Sequence, residues 1–232
     1  MSQSLFLLVF TVLLACNKPE KVPVPDPPPV LSGPVKTWLA LGDSYTIGQG
    51  VDAAERFPTQ TVNLLRLAGI NCSVPFYIAT TGWTTQTLIS QVESQNPGTY
   101  DVVSLLIGVN DQYQTHDTTG YRQRFTGLLE KSILLAGGRK ANVFVLSIPD
   151  YSVTPFAASS DTARIRQELD WFNAINRQVT DLYQCKYLDI TPSTREARND
   201  LSLLAADRLH PSGAEYRKWA VRLAPMVEVV VR

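Results

Sequence analysis

The chain has 232 residues, 44% apolar and 18% charged, a composition of globular rather than disordered proteins. Lysine plus arginine and aspartate plus glutamate both number 21, so no basic surplus points to a nucleic-acid partner. Two histidines, His116 and His210, limit any imidazole chemistry, and neither they nor the cysteines show metal-ligand spacing.

Leu5 to Ala15 is a nearly unbroken apolar run, too short to span a bilayer but right for the apolar core of a signal peptide. It ends in Leu13-Leu14-Ala15-Cys16, which resembles the lipobox of bacterial lipoproteins. That resemblance implies lipidation at Cys16 and a place in the bacterial cell envelope, lipid-anchored at the periplasmic face or the cell surface. The alternative is an ordinary secretory signal cleaved nearby. Residues 17–36 hold seven prolines and are expected to form an extended linker, reaching roughly 60 Å at about 3.1 Å per residue. Without residues 1–36 the remainder carries 18 basic and 19 acidic side chains. One domain is expected over residues 37–232.

Within it, Trp38–Leu41 reads as a short buried strand running into Gly42-Asp43-Ser44. Arg56-Phe57-Pro58 opens a helix that Gly69 ends. Cys72–Ala79 is β-rich and breaks at Thr80-Thr81-Gly82. Thr85 can cap a helix bearing Leu88, Ile89 and Val92. Asp101–Ile107, almost wholly apolar, is the clearest strand and ends in Gly108-Val109-Asn110-Asp111. Tyr121, Phe125, Leu128, Leu129 and Ile133 mark a helix face stopped by Gly137-Gly138. Asn142–Ile148 is a further strand. Ile165, Leu169, Phe172, Ile175, Val179 and Leu182 mark a second long helix, and Lys186–Ile190 a last short strand. Ser212-Gly213-Ala214-Glu215 is a capping box for the final helix, which Pro225 kinks or ends; Val227–Val231 carries no clear assignment.

Strands alternating with helices give an α/β fold with a parallel sheet covered on both faces. Ligands then bind at the carboxyl ends of the strands. Ser44, Gly82 and Asn110 each follow a strand, so they share that rim, and the loop after the last strand reaches Asp207 and His210. Taken singly, Ser44 caps a helix as readily as it serves as a nucleophile, and Asn110, Asp111, Asp207 and His210 suit turns. His116 reads as a solvated loop residue.

Taken together, Gly42-Asp43-Ser44, Gly82, Gly108-Val109-Asn110-Asp111 and Asp207-Arg208-Leu209-His210-Pro211 resemble, in order, the motifs of the SGNH hydrolases, the GDSL-like esterases and lipases. The resemblance implies a three-layer α/β/α flavodoxin-like sandwich with a five-stranded parallel sheet of order 2-1-3-4-5. It implies ester hydrolysis without a metal or other cofactor. Ser44 would be the nucleophile, His210 its base and Asp207 the partner of His210. The N–H groups of Ser44 and Gly82 and the amide of Asn110 would form the oxyanion hole.

The same strand order separates Cys72 from Cys185 and makes both free thiols. Tyr45, Trp83, Tyr113, Tyr151 and Phe156 are expected to wall the pocket, and Tyr151–Ser160 to form a lid or wall. Aromatic walls suit an acyl chain or a sugar ring. The substrate reading is a carboxylic ester with a small acyl group, on a small molecule or a glycan, cleaved by a monomer. The alternatives are a lysophospholipase or thioesterase-type lipase, an acyltransferase, or a non-catalytic surface lipoprotein that binds a ligand in the same cleft.

Overall fold

In a computed structural model, residues 31–232 are described. The expected signal segment, Cys16 and most of the proline-rich linker lie outside them. The linker's last residues do not: Ser32–Lys36 form strand β1. Regular structure is therefore present in residues 32–36, which the sequence assigns to the linker. Among the described residues β1 pairs with β3 alone and with an irregular register, and an edge strand of this kind tolerates Pro34.

The main sheet holds β2 (Trp38–Gly42), β4 (Phe76–Ala79), β5 (Val102–Leu106), β6 (Val143–Leu146) and β7 (Lys186–Leu188). All pairings are parallel, in the order β4-β2-β5-β6-β7. Numbered within this sheet the order is the expected 2-1-3-4-5. The addition is a separate two-stranded parallel sheet of β1 with β3 (Ile70–Cys72). The run from Cys72 to Ala79 is thus two strands, interrupted by Ser73-Val74-Pro75, and Cys72 ends β3 instead of opening the edge of the main sheet. Among the described residues Cys72 and Cys185 are both buried and form no disulfide.

Helices α2 (Phe57–Leu67) and α8 (Gly213–Val231) pack together on one side of the sheet, and α3 (Thr85–Gln95), α5 (Tyr121–Leu135) and α6 (Thr162–Leu182) on the other. Shorter helices α1 (Ser44–Ile47), α4 (Val109–Thr115) and α7 (Thr191–Thr194) follow β2, β5 and β7 at the carboxyl rim. Every residue of β2, β5 and β6 is buried, the pattern of strands covered on both faces.

Three local expectations change. Thr84, not Thr85, caps α3, its hydroxyl accepting from the Thr87 N–H. The capping box at Ser212 is half formed: Ser212 accepts from the Glu215 N–H, but the Glu215 carboxylate instead takes bonds from Ser193 Oγ (2.6 Å) and Trp219 Nε1 (2.8 Å). Helix α8 runs through Pro225 to Val231. Leu223, Val227 and Val231 are all buried, and this apolar stripe outweighs the proline's lost bond and ring clash.

Candidate active site

Five loops at the carboxyl rim build one cleft. At the end of β2, Asp43 caps α1 by accepting from the Tyr45 N–H (3.0 Å), which makes Ser44 the first helical residue. The N–H groups of Ser44 and Gly82 donate to no protein acceptor among the described residues. Gly82 lies at φ +85°, a conformation other residues adopt only with strain, and a Cβ there would meet open space. The requirement is for the backbone geometry that exposes this N–H.

After β5, Gly108 sits at φ +129° where a Cβ would overlap the Tyr121 hydroxyl. This tight turn starts α4 with Asn110 and Asp111 in its first turn. Asn110 Nδ2 donates to the Trp83 carbonyl (3.0 Å). Buried Asp111 accepts from both the N–H (2.8 Å) and the hydroxyl (2.6 Å) of Thr85. Arg124 closes the cluster on Thr85 Oγ1 (2.9 Å) and Asp111 Oδ1 (3.3 Å). Two adjacent residues of α4 thus grip the Gly82 loop on either side of Thr84 and fix the Gly82 N–H relative to Asn110. Thr85, Asp111 and Arg124 were not singled out from sequence as holding this loop; only Asp111 stood inside a recognisable motif.

The last loop is a tight hairpin. Leu204 and Pro211 form an antiparallel bridge, the Ala205 N–H donates to the His210 carbonyl (2.8 Å), and Arg208 takes a left-handed conformation at φ +58°. This curl brings Asp207 under His210, with Nδ1 of the imidazole 2.7 Å from Asp207 Oδ2. Asp207 Oδ1 accepts from the N–H groups of Leu209 and His210, both at 3.0 Å. Partial burial works to raise the Asp207 pKa, but these bonds from His210 and Leu209 outweigh it and hold the carboxyl below the usual carboxylate range.

Ser44, Gly82, Asn110 and His210 all line the resulting cavity of about 170 Å³. Asp207 stands behind His210. No hydrogen bond joins Ser44 to His210 in this structure, a separation common before substrate binds. The Tyr45 ring meets the imidazole edge-on, centroids 5.5 Å apart. Tyr45, Tyr113, Tyr151 and Phe156 wall the cavity as expected. Trp83 does not; it is half-buried against the core, and its contribution is the carbonyl that orients Asn110. The segment after Tyr151 contributes a wall, with Tyr151 and Phe156 lining the cavity and buried Asp150, at its base, held by Arg195 Nε (2.8 Å) and Arg166 Nε (3.5 Å).

His116 is exposed, as expected, but it is also anchored. It ends α4 at φ +56°, and its Nδ1 lies 2.8 Å from Oε2 of Glu168, which is buried on α6.

A family model for the GDSL-like lipase/acylhydrolases matches residues 40–218. The chain belongs to this family. It is a carboxylic-ester hydrolase by that membership. No curated protein sequence matches it. Among solved structures, a lipase/acylhydrolase from Enterococcus faecalis superposes with a TM-score of 0.62 at 17% identity, over 85% of this chain and 97% of that one. A lipase from a goat rumen metagenome gives 0.64 at 20% identity, over 82% and 97%. The acetylxylan esterase Axe2 from Geobacillus stearothermophilus gives 0.60 at 21% identity, over 85% and 95%. All three share the fold.

The GDSL-type serine turn carries one unusual carboxyl group. Asp43 is fully buried and its Oδ2 has no hydrogen-bond partner. Burial, helped by the nearby Asp111 charge and opposed by the Tyr45 N–H, pushes its pKa up to about 8. An unfolded aspartate titrates near 3.8. Folding therefore takes up a proton at Asp43 between about pH 4 and pH 8, and this group's contribution to stability falls as pH rises through that window. The expected slope is about 1.4 kcal/mol per pH unit inside it. Asp43→Asn removes the titration, so the fall in Tm between pH 5 and pH 8 should be shallower in the variant. Parallel Tm–pH curves for the two proteins would contradict the assignment.

Proposed function

We propose that the protein hydrolyses carboxylic esters of small acyl groups through an acyl-enzyme on Ser44. His210 takes the Ser44 proton as Oγ attacks the ester carbonyl, and Asp207, held ionised, fixes the Nδ1–H tautomer and stabilises the imidazolium. The N–H groups of Ser44 and Gly82 and the free amide hydrogen of Asn110 receive the charge that develops on the carbonyl oxygen. The C–O bond then breaks and the leaving alcohol takes the proton from His210. Water, deprotonated by the same imidazole, attacks the acyl-enzyme; the acid departs and Ser44 regains its proton.

The observation that carries this reading is the 2.7 Å Asp207–His210 contact opening on the cavity that Ser44, Gly82 and Asn110 also line. The cavity's size supports a short acyl group, because about 170 Å³ lined by Tyr45, Tyr113, Tyr151 and Phe156 leaves little room for a long chain. One structural neighbour is an acetylxylan esterase, which agrees with a small acyl group. The N-terminal sequence supports a lipid-anchored envelope enzyme. A pure ligand-binding role gives no reason for a serine, an ionised aspartate and an imidazole to be assembled beside free N–H groups.

A fluorophosphonate probe should label Ser44 in the native protein, and Ser44→Ala should abolish labelling. A p-nitrophenyl ester series should then show kcat/KM declining as the acyl chain lengthens beyond about four carbons. Folded protein that leaves Ser44 unlabelled would favour the binding-protein reading. A rate that rises towards long chains would favour a lysophospholipase or thioesterase-type lipase.

A further inference from the structure

Tyr113, Tyr151 and Phe156 have a second side. The same three rings line an adjoining cavity of about 460 Å³, larger than the one holding Ser44. They pack on one another with centroids 6.2, 6.3 and 6.4 Å apart and stand between the two spaces. Tyr113 and Phe156 are half exposed, at 53% and 49%.

The remaining lining is mostly polar, with His116, Ser160, Asp161 and Arg164. Two of these side chains are fixed by one buried carboxylate. Glu168 accepts from Arg164 Nε (2.6 Å) and Gln112 Nε2 (2.8 Å), and its Oε2 lies 2.8 Å from His116 Nδ1. Gln112 in turn accepts from the Tyr151 hydroxyl (2.9 Å), which ties the cluster to the aromatic wall. His116 Nε2, the remaining guanidinium N–H groups and the Ser160 hydroxyl have no protein partner among the described residues.

This lining selects by chemistry. A hydrocarbon chain would strip water from fixed donors and return no hydrogen bonds. An anionic head group would find little spare positive charge, since the Arg164 charge is met by Glu168 and Asp161 lies beside it. A neutral polyhydroxylated ring meets both features: its C–H face stacks on an exposed aromatic side chain, and its hydroxyls bond the fixed donors. The geometry points to this second cavity as the subsite for the alcohol part of the ester, and to a neutral carbohydrate as its occupant. The inference rests on ester hydrolysis at Ser44: the acyl group lies in the smaller cavity, and the sugar hydroxyl departs with the proton from His210.

Ser160→Trp tests this, because Ser160 is exposed, its side chain makes no hydrogen bond, and it belongs to the second cavity alone. Against partially acetylated cellobiose the variant should lose at least about tenfold in kcat/KM, while hydrolysis of p-nitrophenyl acetate stays within about twofold. Saturation-transfer NMR should show unmodified cellobiose binding to the wild-type protein and not to Ser160→Trp. Equal activity of both proteins on the acetylated disaccharide would overturn the subsite. So would a variant that loses activity only on a lysophospholipid. If the wild type fails to cleave p-nitrophenyl acetate, the esterase reading fails by itself, and cellobiose binding alone decides the subsite: loss of binding in the variant supports it and unchanged binding overturns it.

Discussion

His210→Ala should lower kcat on p-nitrophenyl acetate by roughly 10⁵–10⁶, the scale on which removal of the base disables a serine nucleophile. His116→Ala should leave kcat on the same ester within about threefold. The contrast is informative because the two histidines share a motif, an imidazole Nδ1 near a carboxylate at 2.7 Å and at 2.8 Å. What separates them is position. His210 lines the cavity that holds Ser44, whereas His116 lies beyond the aromatic wall. Comparable losses in the two variants would mean that the acid–base path had been misplaced. Circular dichroism and Tm measured alongside would show whether the Glu168 cluster merely holds the fold.

Asp207→Asn should cost about 10⁴ in kcat with little change in Tm, the effect found in Ser-His-Asp triads when the carboxylate becomes an amide. The reason is local. The amide oxygen can still accept from the N–H groups of Leu209 and His210, so the hairpin keeps its shape. The amide nitrogen then faces Nδ1 and donates to it, which puts the imidazole proton on Nε2, where the base should be empty. The loss should appear in kcat more than in KM, because the substrate does not touch Asp207. A variant with near-normal kcat would show that His210 is oriented by the hairpin alone.

Much of this architecture was legible in the amino-acid order because the chain's strongest patterns coincide with its buried faces. The apolar run into Gly108 is β5, and the three- and four-residue spacing from Ile165 to Leu182 is α6. The motifs at Ser44, Gly82, Asn110 and Asp207–His210 fall on one rim because every strand of the main sheet runs the same way. Features that depend on a distant partner were hidden. Strand β1 exists only because Ile70–Cys72 lies alongside, and nothing in Ser-Gly-Pro-Val-Lys announces that. Helix α4 was missed because its buried side chains include Asp111 and Gln112, polar groups satisfied across the fold, so it shows no apolar stripe. Thr85, Arg124 and Glu168 carry no local signal either; their roles arise from bonds spanning 26, 39 and 56 residues.

The position of β1 just before β2 also fixes where the described chain enters the domain. Lys36 lies two residues before Trp38, where β2 begins, and Ser44 lies beyond the point where β2 ends. The polypeptide thus arrives at the pole of the domain opposite the mouth of the cleft. Residues 32–36 line neither the cavity that holds Ser44 nor its neighbour, so the described start of the chain leaves the cleft mouth unobstructed.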